Sequence, residues 1–285
     1  MKYDFKIGVM TDSFRLPFAQ SLKMAKAVGA EGIQLYVVNG ENDYRTFDEE
    51  RVKLVNSLLK ENGLVVSAVC GDLGGHGIMD KEENLWKIPA MKKIADIAKS
   101  LGSGVVTTHI GTIPADRNED RYKIMLDAAR ELGKYGKEIG VTFAIETGPE
   151  IPETLLMFIE DAGEGIGVNL DPANFKMVTD VDAFEAVRIL GKHIVHTHAK
   201  DGNMLKKTEP RIIYDFFAYG GIEDMRIWEY FEEVPLGEGS VLWDEYLCEL
   251  DKIGYKGYLT VERECGDNPA EDIKKAVDFL NSKIN

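Results

Sequence analysis

The chain has 285 residues, 44% hydrophobic and 29% charged, a balance that supports a sizeable core and excludes a disordered or fibrous protein. Its formal charge is −15, from 49 acidic side chains against 34 lysines and arginines, which argues against a nucleic-acid partner because phosphate neutralisation needs clustered cations. Three cysteines without a CxxC pair exclude a disulfide framework or a thiolate zinc site; no apolar run is long enough for a membrane span, the opening MKYDFKIGVM lacks a signal-peptide core, and a reducing cytoplasm is the expected setting.

The first apolar run, at 6–10, is followed by a segment of helical periodicity, and the same unit recurs behind runs at 32–36, 64–69, 104–109, 141–146, 166–171, 193–198 and 257–262. The segments RYKIMLDAARELGKYGKEIG and EDIKKAVDFLNSKI, behind the fourth and eighth runs, carry apolar residues at helical spacing. Eight such units predict an α/β protein built as one closed (β/α)8 TIM barrel, a single domain over 1–285 with its chemistry at the C-terminal strand ends.

Barrel strands alternate between an interior face and a helix-covered face. In VTFAIE this places Thr142, Ala144 and Glu146 inward and Val141, Phe143 and Ile145 outward. IGVNLD places Gly167, Asn169 and Asp171 inward, and YLTVE does the same for Tyr258, Thr260 and Glu262. HIVHTH puts Ile194, His196 and His198 inside and His193, Val195 and Thr197 outside. Four consecutive strands thus bring Glu146, Asp171, His198 and Glu262 to one rim, where three carboxylates and an imidazole call for a divalent cation. Mn2+ or Mg2+ suits so oxygen-rich a set best, and Co2+ or Zn2+ is admitted.

His109 ends the fourth strand at the same rim, as a substrate contact or a structural residue; His196 lies one layer deeper, as a second ligand or, in preference, a core imidazole or a support for the ligands. His193 is expected against a helix and His76 in a glycine-rich loop. An insertion at about 203–235 is too long for an ordinary connection and holds Tyr214, Phe216, Phe217, Tyr219 and Trp228, which suits an active-site lid or an interface. Lys200, Lys206, Lys207 and Arg211 are close enough in sequence to meet a phosphate or carboxylate, or else are solvated.

The motifs AIETGPE, NLDPANF, HTHAKDG and PLGEGSVLWDEYLCELDKIGYKGYLTVERE, in that order, resemble the sugar phosphate isomerase/epimerase family, the xylose-isomerase-like TIM barrels, over essentially the whole chain. The resemblance implies one divalent metal on Glu146, Asp171, His198 and Glu262, with Glu146 and Glu262 also moving protons as the catalytic pair. It implies a small sugar, sugar phosphate or sugar acid as substrate, no nucleic acid or membrane partner, and a homo-oligomer, dimer or tetramer. Candidate substrate contacts are His109, Asn174, His196, Lys200 and Glu238.

The implied chemistry is isomerisation or epimerisation by carboxylate-mediated proton transfer through a metal-stabilised enediolate. Dehydration of an inosose-type substrate begins with the same abstraction, and a catalytically silent sugar-binding barrel is a third reading. A DNA-repair enzyme of the endonuclease IV type would need three zinc ions and a basic face, against which five histidines and the −15 charge argue. The chain departs from the ketose-epimerase pattern at Asn174, where a His is common, and in KDGNML, which lacks an arginine; neither fits simple free-ketose 3-epimerisation.

Overall fold

Short runs, most of them rich in Val, Ile and Leu and bounded by glycine and polar turn residues, form the strands in the computed structural model, which describes residues 2–285. They are β1 (Lys6–Met10), β2 (Gly32–Tyr36), β3 (Val65–Cys70), β4 (Val105–Thr108), β5 (Thr142–Glu146), β6 (Ile166–Leu170) and β7 (Ile194–Ala199), then β8 (Asp201–Met204) and β9 (Phe231–Val234) of an insertion, and β10 (Tyr258–Val261). Omitting β8 and β9, the other eight form a closed barrel in sequence order, sealed where β1 pairs with β10 from Lys6 opposite Tyr258 to Val9 opposite Val261. The chain is therefore a single-domain TIM barrel.

The covering helices are α1 (Phe18–Val28), α2 (Glu49–Asn62), α3 (Lys81–Ser100), α4 (Asp120–Ile139), α5 (Pro152–Ala162), a short turn α6 (Pro172–Asn174), α7 (Ala183–Leu190), α8 (Pro210–Tyr219), α9 (Trp243–Lys252) and α10 (Pro269–Ile284). Their starts are set locally: Asp48 accepts the Arg51 N–H and Asp80 accepts the Glu83 N–H. Between helices and strands lie side chains with almost no exposure, including Leu22, Ile33, Phe143, Phe158 and Leu250, each contributing about 1.5–3 kcal/mol by burial. At the barrel's N-terminal end Tyr258 fills the interior across from Gly32, whose position leaves no room for a β-carbon beside that ring.

The alternation holds along β5, β6 and β10 but breaks in β7. Val168 pairs with Ile194 while Asn169 pairs with His196, so one residue, Val195, is extra. Ile194 therefore joins the outward row of Val168, and Val195 approaches the interior face of Gly167, the reverse of the expected directions. His193 is not in the strand but in a single turn, Gly191–His193, before it.

The insertion is an antiparallel ribbon, Asp201 opposite Val234 through Met204 opposite Phe231, with α8 between its strands. Buried Asp201 anchors its base, accepting from the backbone N–H groups of Gly202 (2.9 Å), Gly237 (2.9 Å) and Val241 (3.1 Å) and from the Trp243 indole (2.9 Å). The ribbon and α8 are thereby held over the C-terminal mouth of the barrel.

Candidate active site at the barrel mouth

Four adjacent elements each end in one ligand-type side chain: Glu146 closes β5, Asp171 follows β6, His198 lies in β7 and Glu262 follows β10. One donor atom from each falls within 4.8 Å of all the others, and all four residues are buried. Asp171 is turned by its role at the start of α6, where Oδ1 accepts the N–H groups of Ala173 (2.8 Å) and Asn174 (2.9 Å). Its Oδ2 is left buried with no hydrogen-bond partner. His198 is oriented from the far side, its Nε2–H donating to Gln34 Oε1 at 3.0 Å. Nδ1 then faces Glu262 Oε2 (3.2 Å), Asp171 Oδ2 (3.4 Å) and Glu146 Oε1 (3.5 Å), and likewise has no hydrogen-bond partner.

An orphaned buried polar atom costs about 1–3 kcal/mol. Two orphans converging with two further carboxylates fit a divalent cation bound by three oxygens and one nitrogen. The electrostatics agree. Burial opposes a charge on His198, but the Glu262 and Glu146 carboxylates outweigh it and hold its pKa well above the ordinary value. Burial likewise works against ionised Glu262 and Glu146, yet Lys200 and His198 hold Glu262 below its ordinary value, as His109 and His198 do for Glu146. The cluster is thus a dry, carboxylate-rich site that concentrates positive charge around Glu146 and Glu262.

A cavity of about 370 Å³ opens above the cluster, with Glu146 and Glu262 in its floor. His109, Asn174 and Lys200 line it. His109 Nδ1 lies 3.1 Å from Asp72 Oδ2 and its Nε2 lies 3.6 Å from Glu146 Oε1. Burial resists its charge, but Glu146 and Asp72 prevail and push its pKa up to about 10. The Asn174 amide donates to Glu146 Oε1 (3.2 Å) and to the Thr147 carbonyl (3.1 Å), so it positions Glu146 from within the cavity wall. The Lys200 ammonium donates to Glu262 Oε2 (3.1 Å) and to Glu264, and lies 3.9 Å from Glu233.

Two expected substrate contacts are placed elsewhere. His196 is buried below the cluster and away from the cavity: Nδ1 donates to Asn169 Oδ1 (2.9 Å), Nε2 accepts from Thr260 Oγ1 (3.0 Å), and burial keeps the ring neutral. It acts through Asn169, whose amide donates to Glu146 Oε2 at 3.3 Å. Glu238 is exposed on the turn that Asp201 folds back at Gly237 and Val241, outside the cavity lining. Lys206, Lys207 and Arg211 are also exposed; Lys206 lies over the Tyr230 ring and Arg211 pairs with Asp215. His76 packs its ring against Tyr219, centroids 4.6 Å apart.

The lid face of α8 contributes Ile213, Tyr214 and Phe217 to the cavity. Tyr214 lies directly over Gly148, where any β-carbon would collide with its hydroxyl. Gln34, Asp72, Asn169 and Glu233 were not singled out in the sequence. Gln34 was within reach, since alternation in GIQLY sets it on the face shared by Gly32 and Tyr36.

The fold and rim define a TIM barrel with a candidate divalent-metal centre under an inserted lid. The chain belongs to the xylose isomerase-like TIM barrel family, whose model matches residues 22–283. Among curated relatives, the L-ribulose-5-phosphate 3-epimerase UlaE of Escherichia coli O157:H7 is 23% identical, the match covering 93% of this chain and 89% of that protein. A xylose isomerase domain protein from Planctomyces limnophilus shares the fold with a TM-score of 0.78 at 23% identity, over 99% of this chain and 96% of that one. The probable 3-DHS dehydratase AsbF from Bacillus anthracis has a TM-score of 0.73 at 20% identity, over 97% of this chain and 99% of that one. Among the described residues no helix is long and apolar enough to cross a membrane.

Proposed function

We propose that the protein is a divalent-metal-dependent isomerase or epimerase of a small sugar or sugar derivative, with Glu146 and Glu262 as its proton carriers. The observation that carries this reading is the buried cluster of Glu146, Asp171, His198 and Glu262, with two orphaned donor atoms, in the floor of a closed-over cavity. A divalent cation on these four side chains, Mn2+ or Mg2+ by the donor set, would supply a Lewis acid that acidifies a hydrogen beside a substrate carbonyl.

The chain's own residues do the rest. Glu146 and Glu262 come from strands separated in the barrel by β6 and β7, so their carboxylates approach a bound carbon from different sides. One carboxylate accepts the carbon-bound proton and the other returns one; return to the same carbon from the opposite face epimerises, and return to its neighbour isomerises. Lys200 beside Glu262 and His109 beside Glu146 favour the ionised, accepting form of either glutamate, and the one that returns a proton enters the step as the carboxylic acid, having taken that proton from solvent. Ile213, Tyr214 and Phe217 of the lid limit water at the reacting carbon. Dehydration of an inosose-type substrate is a second reading: it uses the same first abstraction, and Asn174 speaks against simple free-ketose 3-epimerisation. The exposed Phe217, Tyr219 and Trp228 of the insertion support a homo-oligomer; a sedimentation mass near 31.8 kDa at micromolar concentration would contradict that.

The deciding experiment is solvent deuterium uptake into carbon-bound positions of a sugar panel, using wild type, Glu146→Gln and Glu262→Gln. Each Gln keeps an oxygen that can ligate but not a base, so exchange should fall by about a hundredfold to ten-thousandfold and excess Mn2+ should not restore it. Full recovery of both variants with metal would remove the glutamates from the proton-transfer role. A chelator should lower the melting temperature of wild type, and no response to either EDTA or Mn2+ would refute the metal.

A further inference from the structure

TIM barrels that take phosphorylated substrates commonly seat the phosphate on backbone N–H groups of the loops after the seventh and eighth barrel strands. In this chain those loops follow β7 and β10, and the corresponding donors are already taken. The backbone N–H groups of Glu264 and Cys265 point at Glu233 Oε1, at 3.1 and 3.3 Å, and Glu264 N also approaches Oε2 at 3.3 Å. The Arg263 guanidinium closes on the same carboxylate, and Lys200 lies 3.9 Å from it. Glu233 comes from β9, the return strand of the insertion, and its side chain is only 3% exposed. Two backbone donors, an arginine and a lysine around one buried carboxylate are the recognition set for a phosphate, filled from within.

The remaining charges point the same way. Asp72, Glu146, Glu233, Glu262 and Glu264 line the cavity, against Lys200 and His109 as its only cationic side chains among the described residues. A divalent cation in the floor would still leave carboxylates in excess once Asp171 is included. Lys200 is enclosed by Glu233, Glu262 and Glu264. Arg15, in a polar chamber that shares Tyr36 and Glu264 with the main cavity, donates to the carbonyls of Gly266 (2.8 Å) and Glu264 (2.7 Å). Arg263 is divided between Glu233 and Asp272. Among the described residues, Lys200 and Arg263 are thus committed to carboxylates and Arg15 is held by backbone carbonyls outside the main cavity, while the facing wall of Met177, Val178, Ile213, Phe217, Trp228 and Phe231 is apolar.

We infer that, within the proposed sugar-isomerase reading on which this rests, the site takes an uncharged polyhydroxy carbonyl substrate with an apolar edge, and that Glu233 occupies the place of a phosphate and excludes phosphorylated sugars. The chain would then differ in substrate class from a relative named for L-ribulose 5-phosphate.

The test reads anion binding, independently of turnover. Inorganic phosphate is titrated, at constant ionic strength and with EDTA present to remove metal–phosphate complexes, into wild type, Glu233→Ala and Glu233→Gln, with calorimetry and melting temperature as readouts. Wild type should show no phosphate binding beyond the chloride control, and Glu233→Ala should bind at least about tenfold more tightly. Glu233→Gln, which preserves size and one acceptor oxygen, should gain in the same direction and stands in if the alanine variant does not fold. Phosphate binding to wild type below about 1 mM, competed by L-ribulose 5-phosphate, would overturn the inference. So would a folded variant that gains nothing, since the nest would then not be an anion site. Absence of deuterium exchange with every sugar would instead strike the proposed function, leaving the phosphate titration to judge Glu233 separately.

Discussion

Glu150 provides a measurement of the site's support that does not depend on metal or substrate. It is buried in the loop after β5, and its Oε1 accepts the Ile113 N–H at 2.6 Å, tying the β4 and β5 loops together beneath Tyr214. Burial pushes its pKa up to about 8, against the opposing pull of the Ile113 and its own backbone N–H groups. The folded protein therefore keeps Glu150 protonated at pH 7, whereas the unfolded chain ionises it near 4.5. The native state binds the extra proton, so stability is full below about pH 4.5, falls as pH rises, and stops falling above about 8. At pH 7 the rise of about 2.5 units above the unfolded value of 4.5 corresponds to about 3 kcal/mol, from roughly 1.4 kcal/mol per unit. Glu150→Gln keeps the acceptor for Ile113 and removes the titration. Urea unfolding of variant and wild type at pH 4.5, 6 and 7.5, with EDTA in both, should show near-equal stability at the lowest pH. The variant should gain about 1–3 kcal/mol by the highest. A difference that does not change with pH would refute the assignment of a neutral buried carboxyl.

The lid and the histidine ligand give two more tests. Gly148→Ala places a methyl group against the Tyr214 hydroxyl, so α8 should lift; a loss of about 1–3 kcal/mol and faster proteolytic cleavage within the insertion are expected, and an unchanged cleavage rate would contradict the packing. Gln34→Leu removes the acceptor for the His198 Nε2–H, and free-Mn2+ titration by electron paramagnetic resonance should show affinity reduced about 10–100-fold; unchanged affinity would show that the ring needs no such anchor.

The barrel and the direction of its rim side chains were legible because both follow from a period of two applied to short strands. The reading survived a wrong register in β7. Val195 is an extra residue, so Ile194 and Val195 lie opposite to their expected faces, but the bulge lies before His196 and the inward row resumes with His196 and His198. Periodicity also gives depth poorly: His196 and His198 share a face, yet only the upper ring meets the carboxylates, while the lower one reaches Glu146 through Asn169.

What local pattern does not carry is whether a charge at the rim is free. Lys200 follows β7 directly, and with Lys206, Lys207 and Arg211 nearby the sequence leaves open either an anion contact or ordinary solvated charges. The fold places Lys200 among three carboxylates drawn from 233, 262 and 264 and turns the other cations outward. That outcome depends on β9 returning across the mouth, which in turn depends on Asp201 binding Gly237, Val241 and Trp243, contacts more than thirty residues apart in sequence. The insertion is thus more than a cover: its helix supplies the apolar roof, and its return strand supplies the carboxylate that consumes the positive charge beneath. The charge balance of the cavity is set from a segment whose sequence draws attention to aromatic and basic residues rather than to Glu233.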